Sequence, residues 1–207
     1  MALSNDSFSA RRFQHESNIM TTDETSASSG FDELLSRYEK WRRISSAAGE
    51  TAPDEPAWDG NRLYLRYGYP HPDWTGNIIE PTASGGYQIL RVTTERRNEP
   101  AEYPTAYFAR LEDAGKYVIW NNGESVRMHV GLRPLTQIWR EEGLDPRVNQ
   151  VSLDTYVSKF ELKSDPTRYF ILYRAGGIQP ENRLLPLTYD ELDSVLQQGM
   201  PQSVTVS

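Results

Sequence analysis

The spacing of the hydrophobic residues changes along this chain, and that change constrains the fold more than any motif does. A helical stripe with the spacing i, i+3, i+4, i+7, i+10 comes first and consists of Phe31, Leu34, Leu35, Tyr38 and Trp41. From Arg62 to Tyr67 the pattern has a period of two, which is typical of a half-buried strand. Because further strand patterns follow with no helix between them, the sequence predicts an α+β fold with a mainly antiparallel sheet.

The predicted elements are about six or seven strands packed with three helices. Two or three strands are expected after the central helix, and the last two form a hairpin around Pro166. The segments 50–59 and 131–148 show neither period, so we predict a loop and an irregular connection there. The helices are expected at 31–43, at 111–127 and directly after Thr188, and the placed strands at 62–67, 76–80, 87–94, 105–110, 157–162 and 168–174.

The two later helices carry local signals of their own. Thr188 to Glu191 has the T-x-x-E form of a capping box. Gly115 and Gly123 each weaken the central helix by about 1 kcal/mol relative to Ala, so we expect packing to sustain that helix. In the same helix, we expect Trp120 to be covered within the fold. Asn122 is either a hydrogen-bonded core group or part of a contact face.

Residues 1–29 differ in composition from the rest of the chain. They contain few large apolar side chains, and 21–30 consists almost entirely of Thr, Ser, Asp, Glu, Ala and Gly. Such a segment buries too little surface to offset the entropy lost on ordering. We therefore predict a disordered tail over 1–29 and a single domain over 30–207, with Met20 as an alternative start residue.

The composition excludes several functional classes. None of the 207 residues is a cysteine, which rules out a disulfide, a thiolate nucleophile and a Cys-ligated metal, and the three histidines are far apart. The formal net charge is -7 without a block of basic residues, which disfavours binding to a phosphate backbone. The longest apolar or aromatic run, 169–173, is far shorter than the ~20 residues of a membrane span. We expect no metal, cofactor, nucleic acid or membrane, and a cytoplasmic location.

The motifs of common catalytic sites do not occur either. The chain has no G-x-S-x-G elbow, Walker loop or dinucleotide-binding glycine pattern. Its adjacent carboxylates stand at predicted helix starts or in polar loops, where a solvated or capping role is expected rather than a glycosidase-type pair. We therefore expect a protein that is not an enzyme.

The segment from Tyr69 to Gly76 is the most unusual stretch of the chain. Two prolines stiffen it, and it presents Tyr69, His71, Asp73 and Trp74 within six residues. Tyr and Trp bury a large area at low entropic cost, so a pre-organised recognition loop is one interpretation. A rigid hairpin loop with a locally packed Trp is the other. We also predict that the loops with the glycine pairs Gly85, Gly86 and Gly176, Gly177 allow close approach of a partner at the same interface.

The second half of the chain resembles the immunity proteins of bacterial polymorphic toxins. It is similar in particular to the family of the immunity factor that neutralises tuberculosis necrotizing toxin. The resemblance covers about residues 60–201 and rests on helix-entry, strand and terminal-helix patterns rather than on catalytic motifs. It is carried by Phe108–Ala114, Tyr117–Trp120, Ser125–Arg127, Gly131–Pro134, Arg168–Ile171, Leu184–Leu192 and Gly199–Pro201.

This resemblance implies a non-enzymatic cytoplasmic antitoxin. Such a protein binds a secreted toxin domain that hydrolyses NAD and blocks the dinucleotide pocket of that domain, as a monomer that forms a heterodimer with the toxin. The alternative is a small-molecule-binding or hydrolytic α+β domain, which predicts a deep pocket with converging polar groups. A shallow, exposed aromatic patch favours the antitoxin.

Overall fold

The computed structural model describes residues 30–95, 99–173 and 177–205. The tail predicted over 1–29 lies outside this part of the chain. Eight antiparallel strands form one sheet in the order β1-β2-β3-β4-β5-β8-β7-β6. The strands are β1 Ala57–Asp59, β2 Arg62–Tyr67, β3 Thr75–Pro81, β4 Tyr87–Thr93, β5 Ala101–Phe108, β6 Val148–Asp154, β7 Val157–Leu162 and β8 Asp165–Tyr173.

Five α-helices and one short 3-10 helix pack against one face of this sheet, which we call the helix-covered face. Their apolar side chains join those of the strands in a single core. The opposite face is here called the open face. The helices are α1 (30–47), α2 Leu111–His129, α3 Leu135–Glu142, the 3-10 helix Pro180–Leu184, α4 Tyr189–Gln197 and α5 Gln202–Thr205.

The predicted α+β class with an antiparallel sheet is confirmed, but the predicted element numbers were too low. The described residues form eight strands rather than six or seven, and five α-helices rather than three. β1 lies in the segment predicted as a loop, because three residues pairing with β2 are too short to show a period. α3 lies in the segment 131–148 predicted to be irregular, because its first turn is stabilised by a distant side chain, as described below.

The packing of α2 confirms the prediction for Trp120 and decides between the two alternatives for Asn122. Trp120 is buried and stacks on Trp139 of α3, with the ring centroids 6.1 Å apart. Asn122 is only 1% exposed, and its side-chain oxygen accepts a hydrogen bond from the Tyr67 hydroxyl. Asn122 is therefore a hydrogen-bonded core group rather than part of a contact face.

The capping box of the last long helix is present as predicted. The Thr188 hydroxyl accepts a hydrogen bond from the main-chain N–H of Glu191 at 3.2 Å. The Glu191 carboxylate in turn accepts from the main-chain N–H of Thr188 at 2.8 Å. Both contacts are local in sequence, which is why the pattern alone predicted them.

Lys116 places a cation in the interior, with its side chain 0% exposed. Its ammonium lies 2.7 Å from Asp113 and donates to the carbonyl oxygens of Leu184 at 2.9 Å and Leu187 at 2.6 Å. Burial lowers the pKa of Lys116, while the carboxylate of Asp113 opposes that shift. Lys116 therefore joins α2 to the segment between the 3-10 helix and α4.

Two further charged side chains of α2 cap neighbouring helices. Glu124 accepts hydrogen bonds from the main-chain N–H groups of Leu135 at 2.6 Å and Thr136 at 3.0 Å, the first turn of α3. Arg127 donates to the carbonyl oxygens of Leu196 and Gln198 at the end of α4, both at 2.9 Å. These contacts satisfy helix-end groups that have no partner within their own helix.

The glycines of α2 allow α4 to approach closely. A Cβ at Gly123 would lie 2.6 Å from a methyl group of Leu196, and one at Gly115 would overlap the hydroxyl of Tyr189. Packing between α2 and α4 thus requires the two residues that lower helix propensity. The close packing is consistent with the expectation that tertiary contacts sustain the helix.

Replacing Lys116 with Met should lower the free energy of unfolding by about 3 kcal/mol, because it removes one member of a buried ion pair and the donor to three carbonyl groups. Urea denaturation followed by circular dichroism measures the change. Lys163→Met is the control, since that lysine is exposed and its loss should cost less than about 0.5 kcal/mol. Equal effects of the two substitutions would refute the role given to Lys116.

Gly115→Ala should destabilise the protein by about 1–3 kcal/mol despite the better helix propensity of Ala, because the added methyl group overpacks the contact with Tyr189. The same substitution in a Tyr189→Phe background should cost clearly less, since the overlapping hydroxyl is gone. That hydroxyl is buried without a hydrogen-bond partner in the described structure, so its removal alone should be tolerated. A stabilising effect of Gly115→Ala alone would contradict the packing argument.

Candidate functional site

The antiparallel strand order decides which loops lie together. β2 and β3 are joined by the loop 68–74, and we call the sheet end that carries this loop the upper end. The turn between β6 and β7 and the end of β8 point in the same direction, but the register places them level with the middle of β4 rather than with the loop. The hairpin between β3 and β4, with Gly85 and Gly86, lies at the opposite end, which we call the lower end. The glycines of that hairpin therefore do not belong to one surface with the loop 68–74.

Hydrogen bonds within and beside the loop 68–74 fix its conformation. The main-chain N–H of Tyr69 donates to the Asp54 carboxylate at 2.8 Å, and that of Trp74 donates to the carbonyl oxygen of His71 at 3.1 Å. The hydroxyl of Thr94, on the chain just after β4, lies 2.5 Å from the Pro72 carbonyl oxygen, to which it donates. The loop is thus held at both ends and in the middle before any partner binds.

Aromatic rings around Arg66 form the base of this loop on the open face. The guanidinium carbon of Arg66 lies 4.4 Å from the centroid of the Tyr69 ring and 5.5 Å from that of Trp74. It also lies 4.9 Å from the Tyr64 ring, and Tyr69 meets Trp74 edge to face at 5.6 Å. Cation–π contacts of this kind contribute about 0.5–2 kcal/mol each. They hold Tyr69, which is 50% exposed, in one position.

The four predicted loop residues are brought together, but in two different roles. Tyr69, His71 and Asp73 are exposed at the upper end. Trp74 is 9% exposed and packs with a cluster of Ile78, Leu90 and Val92. The interpretation of a locally packed Trp therefore applies to this residue. His71 and Asp73 meet through the main-chain N–H of Asp73, which lies 3.3 Å from Nδ1 of the imidazole.

The predicted glycine loops differ among themselves. Gly86 has a φ of +75°, and the chain's own Tyr107 and Phe108 fill the space beside its Cα, so the close approach there is internal. Gly85 has open space around it, but it lies at the lower end of the sheet. Gly177 is exposed, and its carbonyl oxygen accepts a hydrogen bond from Gln150 at 2.9 Å. The strand register places Gln150 level with Tyr87, at the end of the sheet opposite the loop 68–74. Gly176 lies outside the described residues.

Further exposed apolar side chains lie on and beside β5, β6 and β8. Sequence reasoning missed them, because each stands alone in the sequence. They are Tyr103, Val151, Leu153, Tyr156, Tyr173 and Ile178, each at least 39% exposed.

A polar cleft lies between α2 and the upper end of the helix-covered face. Its volume is about 260 Å³. On the sheet side, the buried residues of the three strands are Leu65, Ile79 and Ile89. Two positions further toward the upper end, the same face carries Tyr67, Asn77 and Arg91 instead, so each strand changes there from apolar to polar side chains. The lining residues are Tyr67, Thr75, Gly76, Asn77, Arg91, Thr105, Tyr117, Asn121 and Ser125.

The Tyr67 phenol stays protonated in this cleft. Burial raises its pKa, and the nearby Tyr38 and Glu50 raise it further, so the hydroxyl serves as a hydrogen-bond donor to Asn122 at neutral pH. The side of the cleft formed by α2, which we call the helix wall, holds a second polar pair. In this pair the Ser125 hydroxyl donates to the Glu50 carboxylate. Sequence reasoning overlooked the cleft, although its signal was the change from apolar to polar residues on one face of three neighbouring strands.

A larger cavity of about 410 Å³ lies beside α1 and α4, next to Gly30. Its cation, Arg37, already pairs with Glu33, Asp190 and Asp193 at 2.7–2.9 Å. It adjoins the point at which the undescribed residues 1–29 join the chain. The polar cleft beneath α2 is therefore a stronger candidate for a binding site than this cavity.

Neither a metal cluster nor a membrane-spanning helix occurs among the described residues. Within 30–95, 99–173 and 177–205, no group of three or more His, Cys, Asp or Glu side chains is placed to hold a metal ion. In the same part of the chain, every helix falls short of the length and apolar character that crossing a bilayer requires.

These features define an α+β protein with one helix-covered antiparallel sheet, a rigid aromatic loop and a small polar cleft. The fold is similar to that of Rv3902c from M. tuberculosis, with a TM-score of 0.53 and 16% sequence identity. The match covers 75% of this chain and 86% of that chain, and at this identity it shows a shared fold alone. No protein-family model and no curated protein sequence matches the chain.

Thr94→Ala should loosen the loop 68–74, because it removes the hydroxyl that bonds to the Pro72 carbonyl. We expect hydrogen exchange at the main-chain amides of His71 and Trp74 to become about fivefold faster, the equivalent of about 1 kcal/mol for one hydrogen bond. Thr105→Ala is the matched control, since that hydroxyl bonds to the Ile89 carbonyl within the sheet. Unchanged exchange in the loop of the Thr94 variant would show that other contacts suffice to fix it.

Proposed function

We propose that this chain is a non-enzymatic antitoxin, an immunity protein that binds a cognate secreted toxin domain and occludes its active site. The toxin is proposed to be an NAD glycohydrolase, and the complex a cytoplasmic heterodimer of one copy each. The observation that carries the proposal is the rigid loop 68–74, which presents Tyr69, His71 and Asp73 at the upper end of the sheet.

The loop suits a tight protein interface because its conformation is set before binding. Ordering a flexible loop on association costs free energy, and a loop already held by Asp54, Thr94 and Arg66 avoids that cost. Tyr and Arg are also enriched among the residues that dominate binding energy. A half-exposed Tyr69 supported from below by Arg66 has the chemistry of such an anchor.

The charge of the chain supports the same function. The formal net charge of -7 complements a basic partner and speeds association with it.

The comparisons bear on the fold alone. The antitoxin function itself comes from the resemblance of residues 60–201 to immunity proteins described above. The structural likeness to Rv3902c adds that the chain has the same fold as that mycobacterial protein. The proposal therefore rests on the loop and the sequence resemblance together.

The second candidate function is a small-molecule-binding or hydrolytic domain, and the polar cleft favours it. The cleft has converging polar groups, as that alternative requires. Its volume of about 260 Å³ falls below the ~300–1,000 Å³ typical of ligand pockets. The small volume thus favours the binding of a small group over that of a large substrate.

Calorimetry with the toxin domain encoded next to this gene tests the proposal. We expect a one-to-one complex and the loss of NAD hydrolysis at equimolar protein. Tyr69→Ala should weaken the complex by about 30-fold or more, the equivalent of about 2 kcal/mol for an anchor residue.

Trp58→Ala is the matched control for this experiment. Trp58 is an exposed aromatic residue of β1 at the lower end of the sheet, so its loss should leave the toxin affinity within about threefold. No complex at micromolar concentration would overturn the antitoxin function. Equal losses for the Trp58 and Tyr69 variants would instead place the interface elsewhere.

A further inference from the structure

The polar cleft and the loop 68–74 belong to the same end of the same two strands. Tyr67, which lines the cleft, immediately precedes the loop, and Thr75, which also lines it, immediately follows. The loop extends toward the open face, where Trp74 packs, while the cleft opens on the helix-covered face. Because the two features lie on opposite faces of the sheet, a molecule contacts both only if it spans the upper edge of β2 and β3.

Arg91 provides the cleft with an uncompensated cation. It is exposed, and among the described residues it has neither an ion pair nor a hydrogen bond, whereas Arg62, Arg110 and Arg168 are all paired with carboxylates. Asn77 lies directly opposite Arg91 on β3, and its side chain likewise has no hydrogen-bond partner within the described structure. None of the lining residues is acidic.

One carboxylate stands behind the helix wall. Glu50 accepts a hydrogen bond from Ser125 through one oxygen, and its other oxygen is buried with no partner in the described part of the chain. The donors of the cleft at Arg91 and Asn77 thus lie on the sheet side, away from this carboxylate, which favours a ligand with its negative group toward the sheet.

We propose that the cleft binds a carboxylate group, with the guanidinium of Arg91 and the amide of Asn77 as its donors. A guanidinium matches a carboxylate through two parallel hydrogen bonds, and one cation balances one such group. A volume of about 260 Å³ suits a group the size of an acidic side chain or a small dicarboxylate, and it is too small to enclose a dinucleotide.

The same carboxylate chemistry has two sources. One is an acidic side chain of the protein partner that covers the loop, and this source rests on the proposed antitoxin function. The other is a free small carboxylate from solution, which does not depend on that function. Two experimental arms separate the sources.

The first arm uses glutarate as the probe and records two-dimensional NMR spectra of the isotope-labelled full chain. We expect saturable shifts of the Asn77 side-chain amide and of the main-chain amides of Arg91 and Asn121. Arg91→Gln should abolish these shifts, and Arg140→Gln, which changes an exposed arginine of α3, should leave them intact. Glu50→Gln should preserve or tighten binding, because it removes a negative charge near the ligand.

The second arm measures toxin affinity for the same variants by calorimetry. A loss of about tenfold or more in Arg91→Gln, with none in Arg140→Gln, identifies an acidic side chain of the partner as the occupant. Unchanged toxin affinity together with Arg91-dependent glutarate binding identifies a free carboxylate. If no toxin complex forms, the proposed function fails while the glutarate arm still decides the cleft. The proposal is overturned if toxin affinity is unchanged in Arg91→Gln and the glutarate shifts are either absent or persist in that variant.

Discussion

The helix layer depends on the pairing of charges that α2 carries into the protein interior. A buried charge without a partner is costly, so Lys116, Glu124 and Arg127 require polar groups at fixed positions around the helix. The ends of the neighbouring helices supply those groups as free carbonyl oxygens and N–H groups. Because each contact satisfies both a buried charge and a helix end, the positions of the 3-10 helix, α3 and α4 are set by α2.

This arrangement leaves the upper end of the sheet available for recognition. With the helices held on one face, the loop 68–74 folds over the open face, and the cleft remains beneath α2 on the other. Both features begin where β2 ends and β3 starts, on opposite faces of the sheet. In the proposed interactions, the loop contributes shape and buried area, and Arg91 and Asn77 are the hydrogen-bond donors.

Features that depend on neighbours in sequence could be predicted, and features that depend on distant residues could not. The capping box at Thr188 and the alternation of β2 are local, and both are present as expected. α3 escaped prediction because its first turn is capped by Glu124, eleven residues before Leu135 and on another helix. In the candidate site, the grouping of Tyr69, His71, Asp73 and Trp74 followed from their adjacency. The burial of Trp74 followed from strands that the loop itself does not contain.

The sequence was sufficient to predict the α+β class from periodicity and the rigid character of the loop 68–74 from its prolines. It was also sufficient to exclude thiol chemistry from composition. These are properties of short segments or of the whole chain. Only the tertiary structure decided that Gly85 and Gly86 lie at the end of the sheet opposite the loop. It also decided that Tyr67, Asn77 and Arg91 share a cleft with α2. The physical reason is strand register, since hydrogen bonds between strands bring together residues that are distant in sequence.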